Sequence, residues 1–303
     1  MEPNLLLSTI PSKDKTLVYY AELSYSILHN ENSLQYKEDK EAIQLLFSKF
    51  NLQNYNEKEA GLIIKCRLSL IDSYYSTNVT KFRKYGIDDI IMHIKDFANS
   101  DKEFVSKVLN YISSIEKNEW DDDKAFYDVS SLLETDYGID KQGKIFGNAT
   151  SLLSKYCYFI THYNFPIYDS IVMNNYKTIA NHFEVSLEHC KSYVHFDKFI
   201  SIMVALNHDI KNFNKLDNLL WLFGKINMGN YSVILSKEKY LKLIDVTKAS
   251  VSRLIDVKSD EFDELISLYI SNNLFRLKDL EVFDNSQVEF IEFVYSINSN
   301  RNE

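Results

Sequence analysis

Apolar residues recur at helical spacing along almost the whole chain. Leu17, Tyr20, Leu23, Ile27 and Leu28 line one face, and Ala42, Leu45, Leu46 and Phe50 line another. From Asn56 a longer segment runs through Leu62, Ile63, Leu68 and Ile71 to Tyr75. The same period predicts helices over about 81–98, 102–117, 123–134, 144–161, 170–182, 194–207, 214–226, 237–245, 259–273 and 286–296. VSRLIDV (251–257) is the one weak strand candidate. No self-similarity at a period of roughly 20–50 residues marks a solenoid.

Composition sharpens this pattern. Gly (7) and Pro (3) make up about 3% of 303 residues, where average usage gives roughly 12%. Sandwiches, barrels and doubly wound sheets need many turns, so an all-α fold is expected. The 21 Tyr and 19 Phe exclude a disordered chain, and 45% hydrophobic residues suffice for a sizeable core. The acidic run at 121–123 suits a helix start, where carboxylates meet the positive end of the dipole. It lacks the alternation and glycine of a calcium loop.

Charge narrows the function classes. The chain carries 34 basic and 43 acidic residues, a net of −9. Non-specific nucleic-acid binding draws on phosphate neutralisation, so any such role needs a local basic face. Cys66, Cys157 and Cys190 are odd in number and widely spaced, which predicts a reducing compartment and no zinc site. No stretch has the length of a membrane span, and the first residues do not read as a signal peptide. A cytoplasmic, helical protein is the expectation, with neither metal nor organic cofactor.

Punctuation is rare enough to be informative. Gly138, Gly143 and Gly147 fall within ten residues, and Pro166 follows shortly after. The stretch 141–168 has no Asp or Glu but carries Lys141, Lys144 and Lys155. One reading is a buried helix with snorkelling lysines. The other is a glycine-bearing turn whose amides, backed by a helix start, hold a phosphate. A second basic stretch, 65–87, contains Lys65, Arg67, Lys81, Arg83 and Lys84 against Asp72 alone. It brackets a polar interruption, DSYYSTNVT (72–80), in which Ser76, Thr77 and Asn78 suit a helix cap.

The segment GKIFGNATSLLSKYCYFITHYNFPIYDSIV (143–172) resembles the helix-hairpin-helix region of DNA glycosylases, and more closely bacterial proteins with an 8-oxoguanine DNA glycosylase fold. The glycine-bearing hairpin, SKY (154–156) and FPIYDS (165–170) carry the likeness; LIDSYYSTN (70–78) and KLDNLLWLFGKI (215–226) flank it. The resemblance implies a two-lobed helical core over 56–229, with an N-terminal helical extension (1–55) and a C-terminal acidic helical region (230–303). It also implies Asp169 as the carboxylate that stabilises positive charge on the sugar, although an aspartate there is also a good N-cap. In the commonest pattern a lysine precedes that aspartate by nearly twenty residues, a place that here falls in GNATS (147–151) without a lysine. Lys144 resembles the archaeal placement, at the head of the long helix, and is the expected amine; Lys155 is expected to touch phosphate or the core.

The implied activity is release of a damaged or modified purine of the 8-oxoguanine type from double-stranded DNA, by base flipping and N-glycosidic cleavage, with an AP-lyase step through a lysine Schiff base. Gly143, Gly147 and Lys155 are expected to hold DNA phosphate, with Lys81 and Arg83 on the same face and Thr77 or Asn78 in the minor groove. The competing reading is a non-catalytic DNA- or protein-binding member, in an antiviral defence setting; under either reading the acidic 230–303 region is a protein-binding appendage or completes the core. His162, His189 and His195 show no metal-ligand spacing, and Tyr156, Tyr158 and Phe159 read as core.

Overall fold

The computed structural model describes residues 15–30, 34–77, 79, 84–117, 124–134, 136–145, 147–185, 195–250 and 259–299. Over these the chain is all-α. Thirteen α-helices run in order: α1 (Leu17–Leu28), α2 (Leu34–Lys49), α3 (Glu57–Tyr75), α4 (Gly86–Phe97), α5 (Asp101–Lys117), α6 (Lys124–Glu134), α7 (Thr150–Ile160), α8 (Ser170–His182), α9 (His195–Ile210), α10 (Phe213–Asn227), α11 (Lys237–Ser250), α12 (Ser259–Asp279) and α13 (Asn285–Ser299). Among the described residues β pairing is limited to three isolated antiparallel bridges, Lys84↔Ile139, Asp136↔Asn148 and Ile139↔Ile145. No helix among them is long and apolar enough to cross a membrane. The strand candidate 251–257, the acidic run 121–123, and His189 and Cys190 lie outside the described residues.

Two compact units are present: Met1–Lys37, Lys177–Phe183 and Asn218–Glu303 form one, and Glu38–Tyr176 with Glu184–Asp217 the other. The second unit is built around α7. Every residue from Leu152 to Ile160 is buried, and α7 packs against α3, α5 and α6. Apart from Thr150, Ser151, Ser154 and Lys155 the helix is apolar all round, and such a helix lies inside. α3 begins at a capping box: the Asn56 side chain accepts from the Glu59 amide at 3.0 Å, and the Glu59 carboxylate accepts from the Asn56 amide at 3.2 Å. That exchange satisfies two of the amide donors a helix start leaves open.

α2 presents a different face from the expected one. Leu45 and Phe50 are exposed, while Ile43 and Phe47 are buried and Lys40 is buried with them. The stripe is therefore Lys40, Ile43 and Phe47, one position away from the Ala42–Leu46 reading. A lysine occupying an apolar position hid the phase.

α7 also starts later than its apolar period suggests. The helix expected from 144 begins at Thr150, because the preceding chain pairs in a small hairpin, with bridges Asp136↔Asn148 and Ile139↔Ile145. The Asp140 carboxylate accepts from the amides of Gln142 (2.8 Å) and Lys144 (2.9 Å), which holds the turn. Gly138 (φ +71°) must be glycine: a Cβ there would lie 2.8 Å from the Gly86 Cα.

The first unit has an aromatic core of its own. Tyr20 on α1 stacks on Phe293 of α13 with ring centroids 3.7 Å apart, and Phe183 and Phe223 pack on the same ring of Phe293. α13 starts at a second capping box, Asp284 with Gln287, the two reciprocal bonds each 2.9 Å. α12 is kinked at Asn273, whose φ of −131° leaves the helical region.

Candidate active site

The turn between α7 and α8 sets the site. α7 ends in two successive left-handed residues, His162 (φ 51°) and Tyr163 (φ 70°), and the Tyr163 amide donates to the Tyr158 carbonyl at 2.7 Å. The chain then buries Phe165, Pro166 and Ile167 and returns alongside α7. The Ser154 hydroxyl accepts from the Tyr168 amide at 3.0 Å, which pins the backbone one residue before Asp169 to the middle of α7. Asp169 then caps α8, its Oδ1 accepting from the Val172 amide at 2.9 Å.

Capping leaves Oδ2 facing inward, 3.8 Å from Nζ of Lys155. The Lys155 side chain is only 1% exposed, whereas that of Asp169 retains 18%. Helical side chains lean toward the N-terminus. Lys155 accordingly reaches back one turn, donating to Oγ of Ser151 at 2.9 Å and to its carbonyl at 3.3 Å. Its amine also lies 5.1 Å from the centre of the Tyr75 ring. Burial lowers the Lys155 pKa from the ordinary lysine value, and the negative charge of Asp169 and Asp217 acts in the opposite direction.

A second buried amine adjoins this one. Nζ of Lys40 donates to Asp217 Oδ2 (2.8 Å), Tyr158 Oη (3.0 Å) and Asn214 Oδ1 (3.1 Å). Both charged side chains are 6% exposed. Tyr158 Oη donates in turn to Asn214 Oδ1 at 2.7 Å. Burial pushes the Tyr75 hydroxyl well above its usual pKa, reinforced by Asp217 and Asp169. Two amines and two carboxylates thus act on one another, with Tyr75 and Tyr158 beside them.

The other expected residues fall elsewhere. Lys144 is exposed in the hairpin, outside α7; the amine within ion-pair range of Asp169 belongs to Lys155. Lys155, expected at phosphate or core, points inward. The Gly143 amide donates to the Asp140 carbonyl at 3.2 Å, and Gly147 accepts from the Tyr137 amide through its carbonyl. The hairpin's amides at 142–144 are thus engaged by Asp140. Thr77 donates its hydroxyl to Asp72 Oδ1, a buried carboxylate that also takes the Val79 amide. Asn78, Lys81 and Arg83 lie outside the described residues. Arg67, counted with the basic stretch, is fully buried and held by Asp101. Among the described residues no group of three or more His, Cys, Asp or Glu is placed to hold a metal ion.

Ser151, Tyr75, Lys40, Asn214 and Asp217 were not singled out by the sequence. Lys40 and Asp217 do carry a signal, since each interrupts an apolar helical stripe: Lys40 before Ile43 and Phe47, Asp217 between Leu216 and Leu219. A charged side chain on a buried face must have a partner. No protein-family model, no curated protein and no solved structure matches the chain.

Proposed function

We propose that the protein is a DNA glycosylase-like enzyme acting on a modified purine, with Lys155 as the amine and Asp169 as the carboxylate. The observation that carries the reading is the placement of the Lys155 amine against Ser151. Ser151 stands eighteen residues before Asp169, close to the spacing at which the glycosylase pattern has its lysine. Lys155 is one helical turn later, and its side chain brings the amine back to Ser151. The lysine absent from GNATS is thereby supplied from a different position on the same helix.

The chemistry uses this geometry directly. An attacking amine must be unprotonated, and burial favours the neutral form of Lys155. The nitrogen lone pair forms a bond to C1′ of the sugar while the bond from C1′ to the base breaks. The bonding electrons leave with the base, which takes up a proton. Asp169 offsets positive charge developing on the sugar and accepts a proton from the amine. The nitrogen lone pair then forms the C1′=N bond as the C1′–O4′ bond breaks, and O4′ takes the proton back from Asp169, which leaves a protonated Schiff base. The target approaches from the side of Asp169, the partner that keeps solvent exposure. The exposed Lys84 and Lys144, linked through the bridges of Ile139 to Lys84 and Ile145, offer a cationic edge for duplex phosphate.

Borohydride trapping on duplexes carrying 8-oxoguanine, other modified purines or an abasic site tests the reading. A covalent adduct is expected with the natural chain and with Lys144→Gln, and none with Lys155→Gln. Absence of both base release and adduct across the lesion panel would overturn it in favour of a non-catalytic binding protein.

A further inference from the structure

The two buried amines differ in the hydrogen bonds available to them. An ammonium has three N–H donors and no acceptor. Lys40 has acceptors enough for all its protons, among them Asp217 Oδ2 at 2.8 Å, Tyr158 Oη at 3.0 Å and Asn214 Oδ1 at 3.1 Å. Lys155 has two, both on Ser151, and its carboxylate stands at 3.8 Å, beyond hydrogen-bond reach. The first arrangement suits a charged amine. The second suits a neutral amine that donates twice and keeps its lone pair.

Burial lowers the pKa of both amines, and Asp217 and Asp169 each act on both in the opposite direction, so the hydrogen bonds and not the burial set the two apart. We propose that Lys40 is a positioning residue whose charge, held on Asp217, shields Lys155 from a second carboxylate and so keeps the reacting amine unprotonated. This rests on the reading of Lys155 as the amine that forms the Schiff base.

The groups that face Lys155 can be named by element. Ser151 lies one turn back on α7, Tyr75 comes from the end of α3, Asp169 from the start of α8, and Asp217 from the first turn of α10. Tyr163 and Asp39 act on Tyr75 rather than on the amine. Within this set the carboxylates favour the ammonium and burial opposes it. Lys40, which neutralises Asp217 at 2.8 Å, tips the balance toward the free amine.

The test is the pH profile of borohydride-trapped adduct formed by the full chain on an abasic-site duplex. Lys40→Met should move the rising limb upward by about one pH unit, which is about tenfold less adduct near neutrality. Lys40→Arg, which keeps the charge, should restore the natural midpoint. Lys40→Met with Asp217→Asn should restore it too, because the field and its counter-charge leave together. Asp217→Asn alone should move the limb downward, and it decides the matter if Lys40→Met does not fold. An unmoved midpoint in both Lys40→Met and Asp217→Asn, with adduct still formed, overturns the role of Lys40 and leaves Lys155 in place. No adduct from the natural chain at any pH overturns the reading of Lys155 itself.

Discussion

Two buried ion pairs in the same compact unit teach by their difference. Arg67–Asp101 is closed. The guanidinium donates to both carboxylate oxygens at 2.9 and 2.8 Å, to the Phe50 carbonyl at 2.7 Å and to Tyr156 Oη at 3.2 Å, and it covers the Phe47 ring. Burial alone would lower the Arg67 pKa, but the hydrogen bonds and charge of Asp101 hold it raised. Lys155–Asp169 is open. Its members stand 3.8 Å apart, Asp169 is half committed to capping α8, and burial depresses the amine. A fork matched to a carboxylate is a structural clamp. A loosely paired amine with a lowered pKa is the arrangement expected of chemistry.

The largest effect should come from breaking the clamp. Asp101→Ala strands the Arg67 charge at full burial and should cost about 3–5 kcal/mol of stability, read by denaturant unfolding. The amide of Leu52, which donates to the same carboxylate at 3.2 Å, loses its acceptor as well. A loss comparable to that of a surface substitution would mean the clamp is not structural.

Ser154→Ala should come next, at about 1–3 kcal/mol, because the Tyr168 amide loses its acceptor in a half-buried turn. Adduct formation should fall along with stability, since this bond places Asp169. Unchanged adduct formation would detach Ser154 from the site.

Lys155→Met should be neutral or slightly stabilising near neutral pH, by about 1 kcal/mol, since a buried amine costs more than a methylene chain of similar volume. The sign with pH follows from linkage. Where the folded chain holds Lys155 neutral and the unfolded chain binds its proton, the unfolded state carries more protons, so stability rises with pH. Between the lowered folded pKa and the ordinary lysine value of about 10.4, the natural chain should gain on Lys155→Met as pH rises. Substitutions of Arg67, which is charged in both states, should add no slope in that window. A flat difference would place Lys155 with the clamp.

Asp169→Asn should have the smallest effect on stability, a few tenths of a kcal/mol, because asparagine caps a helix about as well as aspartate. Its effect should appear in base release instead. If it destabilises the chain as Asp101→Ala does, the two pairs are of one kind and the open site loses its distinction.

Much of this organisation was legible from local rules. Helix positions follow the apolar period, and most ends agree to within a few residues, as at 170–182 and 102–117. The capping of α8 by Asp169 could be read because a cap involves residues only three apart. The start of α7 could not, because its apolar run extends back through Ile145 while the Asp140 turn holds that stretch in a hairpin. The same displacement moved Lys144 off the helix.

What the sequence by itself determined, then, is what depends on neighbours along the chain: the all-α class, the buried aromatic helix, the turn that ends at Asp169. Tertiary structure alone decided which charges meet. Arg67 and Asp101 are 34 residues apart, and Lys40 and Asp217 are 177 apart. No periodicity carries that information. The reason is physical: a buried charge is tolerated only where desolvation is offset by a partner, and the partner is supplied by whichever helix the packing brings alongside. The different placements of Lys144 and Lys155 have the same origin. Both lie in the acid-free stretch 141–168, but the one is carried outward by a turn and the other inward by a helix with no polar face.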